Sequence, residues 1–204
     1  MSYARRYNKK KEHSMLGNKP LSGKSIAIMV ASGFNEEHMT DIQKALVAAG
    51  AQTTIVSPEV GVANGWHDGG WGHNFFVDEK ISDVLPSRFD MLFVPGGSRS
   101  TLNLTQNAHA IRVTKGMMDA GKPVVLTEDA GLVLVAAEAA AGRSLSVAEE
   151  AREKVEAAGA SIVEAGYNVD GALLSLVDGQ QIEEFISVIK ASLGVEENAE
   201  EAAA

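Results

Sequence analysis

The chain has 204 residues, 45% of them hydrophobic and 22% charged, which is enough for one sizeable domain with its own core. A net charge of −9 excludes a fold covered by a nucleic-acid-binding surface. The complete absence of cysteine excludes disulfides, thiolate metal sites and thiol catalysis in one step.

The chain opens on a basic head, with Arg5, Arg6, Lys9, Lys10 and Lys11, and residues 1–22 read as a flexible tail. No apolar stretch of the kind a secretory signal carries follows it, so a cytoplasmic protein is expected. "KSIAIMVA" (24–31) is a short, nearly continuous apolar run that suits a strand buried on both faces. After Ser32-Gly33 comes a helix over 35–50, with Met39, Ile42, Leu46 and Val47 at helical spacing and Gly50 as its stop. "AQTTIVSP" (51–58) is a second strand, and strand–helix–strand in quick succession implies a right-handed crossover and a parallel sheet.

Residues 61–81 are Gly-rich, carry both tryptophans and read as turns or a small hairpin. "FDMLFVPGG" (89–97) is a strand running into a Pro-Gly-Gly turn, followed by a helix over 106–121 and the strand "KPVVLT" (122–127). Helices are expected over 131–142 and 146–159. Two strands about a Tyr-Asn-Val-Asp-Gly turn are expected over 160–179, then an amphipathic helix with Ile182, Phe185, Ile186 and Ile189 facing inward. The acidic stretch 194–204 reads as a second tail. The pattern is α/β throughout: a mostly parallel central sheet with helices on both faces and an antiparallel addition at one edge. No apolar run approaches the ~18 residues of a membrane helix.

Three tempting motifs fail. "GMMDAGKP" (116–123) begins like a phosphate-binding loop, but Pro123 stands where Ser or Thr should hold magnesium, and the segment leaves a helix for a strand. His67, Asp68 and His73 are too few for a metal site, and Asp-Gly is turn chemistry. "NLT" (103–105) is a glycosylation sequon without meaning in the cytosol.

In open parallel sheets, ligands bind beyond the carboxyl ends of the strands. The segments Gly33–His38, Gly96–Ser98 and Glu128–Ala130 should converge there. The crest of the turn after "PVVLT" carries two acids, Glu128 and Asp129. A helix N-terminus favours an anion at that place by ~0.3–1 kcal/mol, and a protonated His38 opposite would add a charge-assisted hydrogen bond. Gly96 and Gly97 offer N–H groups that could bind an anion or carbonyl oxygen, with Ser98 and Arg99 close by; the other reading is that the turn simply needs glycine. Asp129 is expected to be exposed, and His109 to be an ordinary helix residue. No metal and no cofactor are expected, although a site from His38, Glu128 and a loop histidine is a third, weaker reading.

The order and spacing of "IAIMVASGFNEEHM", "DMLFVPGG", "GKPVVLTEDAGLVLVAA" and "GASIVEAGYNVDGALLS" resemble the ThiJ/PfpI superfamily, a branch of the class I glutamine-amidotransferase-like fold. The resemblance runs from about Lys24 to Leu193 and sets the domain at 23–193. In that family the strand after Gly-Lys-Pro-Val usually ends in Cys-His-Gly. The cysteine position falls on Glu128, the histidine on Asp129 and the glycine on Ala130. The family also places a Glu on the loop after the first strand, against the cysteine, and that position is assigned to His38. The resemblance thus implies a degenerate site of Glu128, His38 and Asp129, similar to the thiol-free C-terminal domain of large-subunit catalases. Two functions are open: a non-catalytic binding or stress-related protein, or a cysteine-independent hydrolase or lyase using Glu128 and His38 on a small carbonyl or amide substrate. Relatives of the fold commonly dimerise. A homo-oligomer is expected, with Trp66, Trp71, Phe75 and Phe76 as candidate contacts, as is a small-molecule ligand at the elbow.

Overall fold

The computed structural model describes residues 19–194, so the tails before Lys19 and after Gly194 lie outside the described residues. Within them the boundary at 22 needs correction. Leu21 is fully buried and its N–H donates to the Ala49 carbonyl at 2.8 Å, so the folded domain already includes it.

The central strands are apolar on both faces because both faces are covered. In β1 (Ser25–Met29), Ile26 and Ile28 enter one core while Ala27 and Met29 enter the other. The same alternation splits β7 (Met91–Val94) and β8 (Val124–Thr127) between the two cores. The seven-stranded sheet runs β11-β12-β8-β7-β1-β3-β6, where β3 is Gln52–Ser57, β6 Glu79–Lys80, β11 Tyr167–Asp170 and β12 Leu173–Leu176. Every pairing is parallel except β11 with β12, an antiparallel edge as expected, although Tyr167–Asp170, expected as part of the turn, is itself β11 and the chain reverses at Gly171, φ 61°.

One face carries α1 (Glu36–Ala48) and α6 (Ile182–Ser192), through Met39, Ile42 and Leu46 and through Phe185, Ile186 and Ile189. Val47 does not join them; it is exposed. The other face carries α3 (Ala108–Asp119), α4 (Gly131–Ala136) and α5 (Glu149–Ala157). Two features differ from expectation. The helix after the elbow stops at Ala136 rather than 142, two residues before Glu138 turns left-handed at φ 54°. An unforeseen helix, α2 (Ser98–Thr105), follows the Pro-Gly-Gly turn.

Within residues 61–81 a hairpin does form, ahead of β6. β4 (Val62–His67) pairs antiparallel with β5 (Gly70–Phe76), and β2 (Phe34–Asn35) joins β4 in a three-stranded sheet above the carboxyl end of β1. A short parallel pair, β9 (Ser144–Leu145) with β10 (Ser161–Ile162), completes the structure.

Candidate functional site at the elbow

Thr127 ends β8 in extended conformation, and the next residue, Glu128, reverses to φ 53° before a single helical turn leads into α4. A left-handed non-glycine residue costs about 1–2 kcal/mol. Here it lifts the Glu128 side chain out of the strand direction, leaving it partly buried, at 30% exposure. Two neighbours wedge the turn. The Gly96 N–H donates to the Thr127 hydroxyl at 2.9 Å, and the Gly97 N–H donates to Asp129 Oδ1 at 2.9 Å. Gly96 and Gly97 are therefore not a free oxyanion cradle, which corrects that expectation: the elbow's own side chains take both donors. The glycines are required by close approach. A Cβ on Gly96 would stand 2.6 Å from the Thr127 carbonyl and 2.7 Å from the Glu128 Cβ.

Asp129 is also corrected. It is 3% exposed, and its Oδ1 accepts from the Thr101 hydroxyl at 2.9 Å as well as from Gly97. It is a buried strut between the elbow and α2. Burial pushes its carboxyl above the usual range, against the pull of the Thr101 and Gly97 hydrogen bonds.

The residue that grips Glu128 is Asn35. Its Nδ2 donates to Glu128 Oε1 at 2.7 Å while its Oδ1 caps α1 by accepting from the His38 N–H at 2.9 Å. A polar residue ahead of two acids is a recognisable cap pattern that sequence reading passed over, and nothing in the sequence marks the second bond. His38 lies one step further away. It is 7% exposed, and its Nδ1 stands 3.9 Å from Glu128 Oε1, beyond hydrogen-bonding reach. That nitrogen is buried without a protein partner. Burial raises the Glu128 carboxyl, and the His38 charge and the Asn35 hydrogen bond lower it by less; the net shift is upward.

Above the elbow lies a cavity of about 380 Å3, within the ~300–1,000 Å3 common for small ligands. Asn35 and Glu128 form its polar floor, Ser98 and Arg99 enter from α2, and Trp66 enters from the hairpin. Arg99 extends over both tryptophans, with its guanidinium carbon 5.3 Å from the Trp66 ring centre and 5.5 Å from that of Trp71. The rings meet edge to face at 5.3 Å. Phe75 packs on Phe34 at 5.3 Å, so Trp66 and Phe75 serve the chain's own packing, while Trp71 and Phe76 are 57% and 80% exposed.

The hairpin is pinned by a second acid that sequence reading passed over. Glu36, 7% exposed, accepts from the His73 N–H at 2.7 Å and pairs with the same imidazole. Gly65 and Gly72 leave the room its carboxylate occupies. Burial pushes Glu36 up, but the His73 bonds outweigh it and hold the carboxyl below the usual range. That contribution is present above the unfolded value of 4.5 and is lost as pH falls. Glu36→Gln is expected to cost about 1 kcal/mol, lower the melting temperature by about 3 °C and speed amide exchange in β4 and β5. Unchanged exchange there would show that the hairpin is held otherwise.

This pairing also removes the third reading. His73 is engaged by Glu36, and His67 stands 3.2 Å from Asp68, so neither loop histidine joins His38 and Glu128. Among the described residues no three His, Asp or Glu side chains converge as metal ligands. His109 lies near the start of α3, outside the elbow cavity. Among the described residues no helix is long and apolar enough to cross a membrane.

Residues 24–191 match the model of the DJ-1/PfpI family. A deglycase of Thermococcus kodakarensis is 29% identical over 150 residues, covering 74% of this chain and 87% of that protein. General stress protein 18 of Bacillus subtilis is 32% identical over 142 residues, covering 70% and 81%. Among solved structures, DJ-1beta of Drosophila melanogaster superposes with a TM-score of 0.76 at 20% identity, over 85% of this chain and 92% of that one. A two-domain protein from Anabaena variabilis, with DJ-1/ThiJ/PfpI-like and ferritin-like domains, superposes at 0.79 and 19% identity, over 88% of this chain and 52% of that one. At these identities the structural matches establish the fold.

Proposed function

The chain belongs to the DJ-1/PfpI family, and from that premise we propose that it is a thiol-free member that binds a small polar carbonyl compound at the elbow without turning it over. The observation that carries this reading is Glu128: the strained crest of the turn holds a carboxylate, gripped by Asn35, facing a cavity sized for a small molecule. A carboxylate is a far weaker nucleophile than a thiolate near neutral pH. It is a good hydrogen-bond acceptor, and a hydrated carbonyl presents donors to it and acceptors to Ser98 and Arg99. A stress-related role is part of the proposal, supported by the name of the Bacillus relative. So is the likeness to the thiol-free domain of large-subunit catalases, which rests on the missing cysteine. A homodimer is proposed on the exposed Trp71 and Phe76.

The second reading, acid–base turnover, has one observation in its favour: a carboxyl raised by burial stands 3.9 Å from a buried imidazole nitrogen. Glu128→Gln separates the two. A carboxyl whose folded pKa exceeds its unfolded 4.5 is most stabilising in acid, below that value, and its contribution falls as pH rises through the folded value. The variant escapes that fall, so at pH 7 it is expected to melt above the parent, with the margin vanishing below pH 4.5. Binding of glyoxal and methylglyoxal should weaken, and no turnover should be lost because there is none to lose. Turnover in the parent that the variant abolishes would establish the second reading.

A further inference from the structure

A second cavity, of about 470 Å3, shares only Ser98 with the elbow cavity and opens between α2, α4 and α5. Its walls follow helical spacing. Thr101, Leu102 and Thr105 come from one face of α2, and Leu132 and Val135 from one face of α4. Its charged groups are Asp129, Glu150 and Lys154, two carboxylates to one ammonium. Asp129 is almost completely buried, yet lines this cavity. Both of its hydrogen bonds fall on Oδ1, so Oδ2 carries neither. Glu150 and Lys154 sit one turn apart on α5 with no ion pair between them, and both are available to a ligand. An apolar trough whose charged groups are two carboxylates and one ammonium keeps one negative charge in excess, and suits a cation with an apolar body.

We propose that this groove binds a small alkylamine, with its ammonium group against Asp129 and Glu150 and its chain along Leu102, Leu132 and Val135. A carboxylate of the same shape would meet two acids against the single Lys154 and is disfavoured by the net charge. A short polar amine would forgo the apolar walls. The site is independent of the elbow reading, although Asp129 touches Gly97 and so connects the two cavities.

The test uses the full chain and three probes, methylammonium, n-butylammonium and n-hexylammonium chloride, followed by amide chemical shifts, with sodium hexanoate as the charge-reversed control. Hexylammonium should bind saturably, with shifts at Leu102, Leu132 and Val135 and none at Asn35 or Trp66. Affinity should rise about fourfold per added methylene until the groove is full. Asp129→Asn bears directly on the head group but also removes a strut, so Glu150→Lys on the exposed face of α5 is the decisive variant. It should weaken hexylammonium about fivefold while leaving the fold intact by circular dichroism. Hexanoate binding as well as hexylammonium, affinity indifferent to chain length, or Glu150→Lys binding like the parent would each overturn the proposal.

Discussion

Gly97→Ala is expected to lower the melting temperature by about 12 °C, the largest single-site loss at the elbow. Gly97 sits at φ 115° and ψ 112°, a conformation that costs an L side chain about 1–3 kcal/mol. Its Cβ would also run into the Gly33 carbonyl and stand 2.9 Å from both the Asn35 nitrogen and the Phe34 Cα. All three are backbone contacts, so no side chain can swing aside, and overpacking adds about 1–3 kcal/mol more. The displaced segment carries Asn35, so the grip on Glu128 should loosen as well, and carbonyl ligands should bind less tightly. Calorimetry with ligand titration measures both. A variant that melts within about 2 °C of the parent would mean the two loops are not packed as described.

Asp129 supplies the second large effect, and its two substitutions should part company. Asp129→Ala leaves the Gly97 N–H and the Thr101 hydroxyl without their acceptor, and Thr101 is 1% exposed, so water does not readily replace it. The expected cost is about 3 kcal/mol, or about 6–12 °C in melting temperature. Asp129→Asn keeps an oxygen for both donors and removes the buried charge. The sign follows from the raised carboxyl. Its contribution to stability is greatest in acid, below the unfolded value of 3.8, and falls as pH rises through the folded value. Near pH 7 the Asn variant should therefore melt close to or above the parent, with any margin vanishing in acid below 3.8. Equal losses for Ala and Asn at pH 7 would show that the charge, not the acceptor, holds the strut.

The strands β1, β7 and β8 were legible because burial on both faces demands unbroken apolar runs, and "SIAIM", "MLFV" and "VVLT" are such runs. The hairpin was legible through its glycines. The helix α2 was not: "SRSTLNLT" has only two apolar residues, Leu102 and Leu104, and side chains that favour turns. It is held by contacts distant in sequence, the Ser100 hydroxyl accepting from the Ala31 N–H at 3.0 Å and Leu104 entering the core. The site divides in the same way. The elbow at Glu128 could be read from a strand passing directly into a helix. What surrounds the two acids could not. Asp129 looks exposed until Gly97 and Thr101, 32 and 28 residues away in sequence, are placed on it. Asn35 announces itself as a helix cap and conceals its bond to Glu128, 93 residues on. Counting along the loop selected His38, whose ring is near Glu128 but out of hydrogen-bond range.

On this reading the acid at the elbow holds a carbonyl ligand in place of a thiol that would transform it. One NMR experiment addresses it: methylglyoxal in excess over the protein at pH 7, with the compound and the protein amides followed together. Methylglyoxal should decay at the buffer rate, alongside saturable shifts at Asn35, Glu128 and Arg99 that Glu128→Gln weakens. Consumption above the buffer rate that Glu128→Gln abolishes, or a protein spectrum indifferent to the compound, would rule out a binding site without turnover.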